Sequence, residues 1–434
     1  MTPRVRELAS TFRVPAAITL WLLGTLPFLA RQVIGGTSKD VEHYMLTANA
    51  FLAGARIYTD VPFEYPPYAL AWFIGPAALA EDLGEFRILF GLLILAVDAV
   101  VKAALLWIGV RERDRPPDFL PFFMYTLATA ALGHFLLQRY DVIPAALSCA
   151  ALLALSGGWT ATAGVTIAVA AGTKVYPALL LPVMAAFAWR RGDGSVRRLL
   201  FGVAAGLVPL VGVSLLAPWW NFAAVHSRRG LEVGSFWASI VWLGHFVGVP
   251  AKWGVVIAWL EVTGPAAAWL AGPARVVWAA ATLGSVALAT QAAARGRQDD
   301  HTGTARLSLL AGLTLLPVTT FVALNLVLSP QFQLWMAPLA AVCLAGRSRV
   351  DLLPGTLHVR RACACIFIST FLVPAFFPSP TFDTGLDFGR TMVLLLRNAL
   401  LLYATWSLAR AALSDPPARL ASGSPHEPPR HPSP

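Results

Sequence analysis

The sequence predicts an all-α, polytopic helical membrane protein, and three observations carry that prediction. Of 434 residues, 57% are hydrophobic and only 13% are charged, whereas a soluble protein of ordinary composition carries about 25% charged residues. Apolar residues gather in runs of roughly 17–25, the length a helix needs to cross a bilayer core, and about 12 such spans (up to about 14) are present. Arginines gather in alternate loops between the runs, as the positive-inside rule requires of a multi-pass chain. The mean hydropathy of +0.65 agrees. This composition excludes a soluble multidomain enzyme. It also excludes a transmembrane β-barrel, which would show short alternating segments instead. The net charge of +10 reflects loop arginines rather than a nucleic-acid partner.

The elements follow in order. Arg4, Arg6 and Arg13 precede a long apolar run over 14–34. That run exceeds a signal-peptide core and no small-residue cleavage site follows it, so it reads as an uncleaved signal anchor. Further spans are expected over 86–110, 119–137, 141–156, 159–173, 175–190, 199–217, 273–293, 306–328, 331–345, 362–378 and 390–409. The stretch 236–270 is apolar but broken by Gly and Pro, and reads either as two more spans or as an interfacial segment. Residues 1–410 read as one transmembrane domain. Residues 411–434 are Pro-rich without an apolar face and read as a disordered cytoplasmic tail. Cys149, Cys343, Cys363 and Cys365 all fall inside apolar runs, which indicates neither a disulfide framework nor a zinc site.

Arginine placement sets the expected sidedness. Loops 111–118, 190–198, 295–306 and 346–361 are Arg-rich and therefore cytoplasmic, as are both termini. Loops 35–65, 138–140, 218–235 and 379–388 are then external. If residues 66–82 crossed the membrane, this parity would break. They are expected to lie along the outer face as an interfacial helix, a position that suits Tyr68, Trp72 and Pro76. Residues 35–85 thus become one large external element. Within it, 40–53 suits a helix, capped by Ser38 or Asp40 and stopped at Gly54. Pro66-Pro67 suits the start of the interfacial helix. Asp40, Glu42, Asp60 and Glu64 are its carboxylates. Each is eligible to accept a proton from an attacking hydroxyl, or simply to be solvated.

Short motifs recur along this external side. They are Asp40-x-x-x-Tyr44, Gly54-x-x-x-Tyr58, Phe63-x-Tyr65-Pro66-Pro67, Arg139-Tyr140-Asp141, Lys174-x-x-Pro177 and Ser329-Pro330-Gln331-Phe332-x-x-Trp335. In this order, over roughly 36–345, the chain resembles glycosyltransferase family 87 of the GT-C superfamily. It also echoes, more faintly, the eukaryotic GPI mannosyltransferase I. The resemblance implies a GT-C fold and an inverting transfer of a sugar from a polyprenyl-phosphate donor to a lipid or glycan acceptor. It implies Asp40 as the base and an external site, and it needs no nucleotide, in keeping with the absence of a P-loop or Rossmann fingerprint; no cofactor and no metal ligand is assigned. Mannose is favoured, with arabinofuranose the alternative sugar. Two positions depart from the family pattern: Glu42 stands where His is common, and Phe332 stands where Tyr is common.

The remaining candidates have two readings each. Lys174 is either a snorkelling lysine or a cation for the donor phosphate. Arg139 and Asp141 are two residues apart and do not face one another on a helix, so each is free to meet another element. His226-Ser227-Arg228-Arg229-Gly230-Leu231-Glu232 is either ordinary loop charge or a phosphate or sugar clamp with Glu232 as a second carboxylate. Tyr65 and Gln331 complete the candidate donor and acceptor contacts. Asp98 and Lys102, at i,i+4 in a span, read as a neutralising pair, with a proton relay as the other reading. Trp219, Trp220, Trp237, Trp242, Trp253 and Trp259 read as interfacial belt residues, with sugar stacking by one or two of them as the other reading. The rival function classes are a transporter or flippase of lipid-linked saccharides, and a non-catalytic scaffold. A transporter should show inverted repeats and midplane polar residues, whereas these motifs gather at one face.

Overall fold

The computed structural model describes residues 14–27, 38–111, 117–227, 229–256, 259–295, 303–345, 355–376 and 387–414. The chain runs from α1 (Val14–Pro27) through α2 (Lys39–Leu52), α3 (Pro67–Leu79) and α4 (Leu83–Val110) to α5 (Leu120–Leu132), a single turn α6 (His134–Leu137), α7 (Val142–Ser156) and α8 (Thr160–Thr173). A 3₁₀ turn at Tyr176–Leu180 leads into α9 (Leu181–Arg190), followed by α10 (Ser195–Leu216) and the short α11 (Phe222–Ser227). Next come β1 (Leu231–Glu232), α12 (Phe236–His245), β2 (Lys252–Val256), β3 (Trp259–Thr263), α13 (Pro265–Arg295) and α14 (Gly303–Leu324). A second 3₁₀ turn at Pro330–Phe332 opens α15 (Gln333–Leu344), and α16 (Thr356–Phe371), α17 (Val373–Phe376) and α18 (Phe388–Leu413) complete the set.

Six helices among the described residues are long and apolar enough to cross a bilayer: α4, α10, α13, α14, α16 with its continuation to Ala375, and α18. The chain is therefore a helical, membrane-embedded protein. Helices α1, α5, α7 and α8 are apolar but shorter; at 1.5 Å per residue, a helix of about 14 residues reaches roughly 21 Å against a core of about 30 Å. Leu215 and Trp269 are 83% and 76% exposed in the protein alone, which suits a lipid-facing surface. Helix α14 lies at the opposite extreme, with Leu310, Ala311, Leu315, Val318 and Val322 all in the main core.

Small residues let the helices approach closely. A Cβ placed on Gly202 would lie 2.0 Å from the carbonyl oxygen of Ala161, and one on Gly164 would lie 2.1 Å from that of Leu199. Gly202-x-x-x-Gly206 thus packs α10 against α8 through backbone contact, as small-xxx-small interfaces do in membranes. The same logic seats α3. A Cβ on Gly172 would collide with the Tyr68 ring at 2.3 Å, and the Tyr68 hydroxyl donates to the Gly206 carbonyl at 2.6 Å. Trp72 Nε1 donates to Thr173 Oγ1 at 3.2 Å. Helix α3 has only 13 residues, too few to span a core of about 30 Å alone.

The expected pair is present inside the bundle. Lys102 Nζ donates to Asp98 Oδ2 at 2.5 Å and to the Gly24 carbonyl at 2.7 Å, with both charged side chains fully buried. With the bond from Trp21 Nε1 to the Ala99 carbonyl at 2.8 Å, it fastens α1 to α4.

The expected spans over 86–110, 119–137, 141–156, 159–173, 175–190 and 199–217 each fall on observed helices, and one region departs from the all-α reading. Residues 265–270 open α13, and residues 236–264 form no helix long enough to span. They form α12, ten residues long, and then strands β2 and β3, which pair antiparallel with β1 beside β3. The short, Gly- and Pro-broken apolar run cannot sustain a spanning helix. Its β-branched and aromatic residues (Trp253, Val255, Val256, Val262) favour a hairpin instead. A buried arginine anchors this layer: Arg397 of α18 donates to the Gly234 carbonyl at 2.6 Å. Gly234 is required there, because its Cβ would meet the Leu328 carbonyl at 2.4 Å. Of the expected tail 411–434, residues 415–434 lie outside the described residues.

Candidate active site

Four chain segments distant in sequence meet at one end of α7, α8 and α15. The first is the start of α2. Ser38 caps that helix, its Oγ accepting from the Val41 N–H at 3.4 Å. Of the two expected caps, Ser38 holds the position, so the Asp40 side chain is released from capping. It turns to the second segment, the junction between α6 and α7, and accepts a hydrogen bond from Arg139 Nη1. This ion pair is open: the side chains are 22% exposed at Arg139 and 28% at Asp40. Nη1 is the only guanidinium nitrogen of Arg139 that hydrogen-bonds among the described residues.

The third segment supplies a closed pair. Lys174, just beyond α8, donates from Nζ to Asp141 Oδ1 at 2.6 Å. The same oxygen accepts from Trp335 Nε1 at 2.6 Å. Aromatic rings enclose the ammonium: Tyr140 at 4.7 Å, Trp335 at 5.1 Å, and Tyr65 and Phe332 each at 5.8 Å from their centroids. Cation–π attraction supplements the ion pair when the cation is desolvated, as here. Burial pushes the Lys174 pKa down, and Asp141 opposes that. Arg139 and Asp141 do not pair with each other; each meets a different element, as their spacing requires.

Aromatic packing fixes both pairs. Tyr44, one turn after Asp40, stacks on Phe73 at 4.3 Å and meets Tyr140 edge-on at 5.8 Å. Tyr65 meets Tyr140 at 5.1 Å. Tyr65 is delivered by a strained loop: Tyr58 adopts φ +73°, a left-handed conformation unusual for an aromatic residue, and its hydroxyl donates to the Tyr65 carbonyl at 2.7 Å. On the other side, Phe332 and Tyr176 stack on Trp335 at 4.0 and 4.3 Å. Burial raises the phenol pKa values of Tyr44, Tyr65 and Tyr140 well above the usual range, keeping them neutral.

The fourth segment is β1 with the Ser329 turn. Ser329 Oγ donates to Glu232 Oε1 at 2.5 Å, and the Glu232 N–H donates to the Leu326 carbonyl at 2.9 Å. Arg229 Nη2 lies 4.0 Å from Glu232 Oε2. Burial pushes the Glu232 pKa up, while Arg229, Ser329 and, from farther off, Arg139 pull it down. Gln331 is buried in the same turn, with its Oε1 unbonded among the described residues.

Seven of the candidates, Asp40, Tyr65, Arg139, Asp141, Lys174, Arg229 and Glu232, are thus linked by ion pairs, ring contacts or electrostatic influence. Arg228 lies outside the described residues. Of the other loop carboxylates, Glu64 acts electrostatically on Tyr65, Tyr140 and Lys174, while Glu42 and Asp60 stand apart. Glu42 is exposed. Asp60 is exposed and paired with Arg56 at 3.0 Å, which holds its carboxyl below the usual range. Glu64 is half-buried, and its carbonyl oxygen lies 2.9 Å from His226 Nε2. Sequence reasoning passed over Arg397, although a charge inside the span 390–409 was a signal that it had a buried partner. Compared with known proteins, the chain matches no family model and no curated protein.

Proposed function

We propose that the protein is an inverting glycosyltransferase of GT-C type, which moves a sugar from a polyprenyl-phosphate donor to a lipid or glycan acceptor at the outer membrane face. In this reading the shorter helices α1, α5, α7, α8, α9 and α15 cross the membrane together with the six long ones, giving about 12 spans in all. Both termini are cytoplasmic. The observation that supports it best is the convergence of Asp40, Arg139-Tyr140-Asp141, Lys174 and Phe332/Trp335, motifs spread over nearly 300 residues of chain, in one ionic and aromatic cluster.

The chemistry suits that cluster. The acceptor hydroxyl gives its proton to the Asp40 carboxylate as its oxygen attacks the anomeric carbon. The attack comes from the face opposite the phosphate, and the bond from that carbon to the phosphate oxygen breaks. Polyprenyl phosphate departs with the electron pair, passing from a singly charged diester to a doubly charged monoester, while Asp40 passes from charged to neutral. Net charge is conserved, and it moves from the carboxylate to the phosphate. A fixed cation beside both is the arrangement that stabilises such a shift. Of the rings around Lys174, Tyr65 and Phe332 each keep 8% of their surface exposed, which suits the edge of a contact with the apolar face of a sugar.

The test is incubation of the purified protein with a panel of radiolabelled polyprenyl-phosphate mannose and arabinofuranose donors and a membrane lipid extract. Transfer that depends on Asp40 supports the reading. No transfer from any donor overturns it, and movement of an intact lipid-linked saccharide across a vesicle without covalent transfer would make the protein a transporter.

A further inference from the structure

Of the three cations in the cluster, Arg229 lies beside Glu232, and the other two, Lys174 and Arg139, are not equivalent. Lys174 is spoken for: Asp141, only 1% exposed in its side chain, holds it, and four rings lie around a lysine side chain that is itself 16% exposed. A phosphate reaching Lys174 would have to break a buried pair and leave Asp141 uncompensated, a strongly unfavourable exchange. Arg139 is different. Its partner Asp40 is 28% exposed in its side chain, so solvent can take over the carboxylate if the pair opens. A guanidinium also offers five N–H donors in a planar fork that matches phosphate oxygens, and only Nη1 hydrogen-bonds here among the described residues.

Resting on the transferase reading, we propose that Arg139 is the phosphate-binding cation of the site and that Asp40 is its built-in stand-in ligand. In the resting protein the carboxylate occupies the place of a phosphate oxygen. A phosphate ester arriving at Arg139 displaces it, freeing Asp40 Oδ1 to accept the acceptor proton. Donor binding and release of the base are then one event. The donor binds first, and an acceptor that enters alone finds Asp40 engaged. Lys174 becomes a positioning residue that holds Asp141 and the ring wall. The exchange follows the charge through the reaction, because Arg139 moves to the phosphate as negative charge does.

A binding cycle tests this without any transfer assay. The full-length protein is titrated with farnesyl phosphate, inorganic phosphate and farnesol, read by tryptophan fluorescence. Removing the competitor in Asp40→Asn should tighten farnesyl phosphate about tenfold, and removing the receptor in Arg139→Gln should weaken it at least tenfold, the scale of one charge-assisted hydrogen bond. In the double variant the gain from Asp40→Asn should vanish. The same gain in both backgrounds would mean simple repulsion from Asp40 and would overturn the exchange, as would unchanged binding in Arg139→Gln. Arg139→Lys, which keeps the charge and loses the fork, should fall between wild type and Gln, and it serves if Arg139→Gln fails to fold. Binding of farnesyl phosphate but not inorganic phosphate supports a lipid-borne ligand. Binding of both supports a phosphate site without a lipid requirement, and equal binding of farnesol overturns the phosphate assignment. A positive cycle in a protein that transfers no sugar would sink the transferase reading alone; transfer with an additive cycle would sink the exchange alone.

Discussion

Asp98–Lys102 and Asp40–Arg139 are both carboxylate–cation pairs, and they differ in closure. The first lies on one helix at i,i+4, is fully buried, and is further tied by the Gly24 carbonyl. The second joins residues 99 apart and is roughly a quarter exposed on each side. In the first, every exchange partner is excluded, so the charges can only neutralise each other and hold α1 against α4. In the second, each side chain keeps a solvent-facing part, so water and ligands compete at the rim and the pair opens at lower cost than the first. Asp141–Lys174 falls between them, closed but lined by the rings of the candidate site. Closure, rather than the presence of an ion pair, separates the fastening from the site.

The largest expected effect breaks the open pair. Asp40→Asn keeps shape and removes basicity, so turnover should fall by about 10²–10⁴-fold, the usual range for a lost general base. Melting temperature should fall only modestly, because Ser38 is the cap and Asn keeps an oxygen that can accept from Arg139. Kinetics and thermal unfolding of that variant check both halves. Near-normal turnover would return the base assignment to Glu64 or Glu232. The converse variant, Lys102→Met, leaves Asp98 buried without its cation and should lower stability by about 3–5 kcal/mol. Asp98→Asn in the same chain should recover much of it. A Lys102→Met protein as stable as wild type would mean that the closed pair is no fastening.

Lys174→Met sharpens the middle of the comparison. It leaves Asp141 with the bond from Trp335, its one remaining hydrogen bond among the described residues, and the more distant charge of Arg139, so about 2–4 kcal/mol of stability should be lost. A double change with Asp141→Asn should restore folding, and farnesyl phosphate binding measured on it should then stay within about threefold of wild type. A loss of tenfold or more there would mark Lys174 as a phosphate contact after all.

These contrasts explain what the sequence made legible. Apolar run length identified the helices, because a bilayer demands it at every crossing. The i,i+4 spacing identified Asp98–Lys102, because both partners share one helix. The spacing of Arg139 and Asp141 excluded a pair between them but not who their partners were; Asp40 and Lys174 reach them across 99 and 33 residues, distances no local period encodes. The 40–53 helix was legible, but its cap was not, since Ser38 and Asp40 are equally good acceptors. The hairpin of β2 and β3 was missed because hydropathy reports burial, and an apolar strand scores like an apolar helix.

The smallest expected effect is a slope rather than a step, and it concerns Glu232. Burial raises its folded pKa above the unfolded value, so the native state holds a proton that the unfolded chain gives up. Stability depends on pH through the difference in protons bound, and it falls as pH rises wherever the native state binds more. The carboxyl is therefore least costly below the ordinary glutamate pKa of about 4.3, and its burial becomes progressively destabilising as pH climbs through the raised value. Glu232→Gln keeps the oxygen that accepts from Ser329 and removes the titration. Melting temperatures from pH 4 to 8 should decline less steeply in the variant than in wild type, with the two curves closest at the acid end. Parallel profiles would mean that Glu232 is held ionised by Arg229 despite its burial. It would then belong with the closed pairs rather than between closed and open.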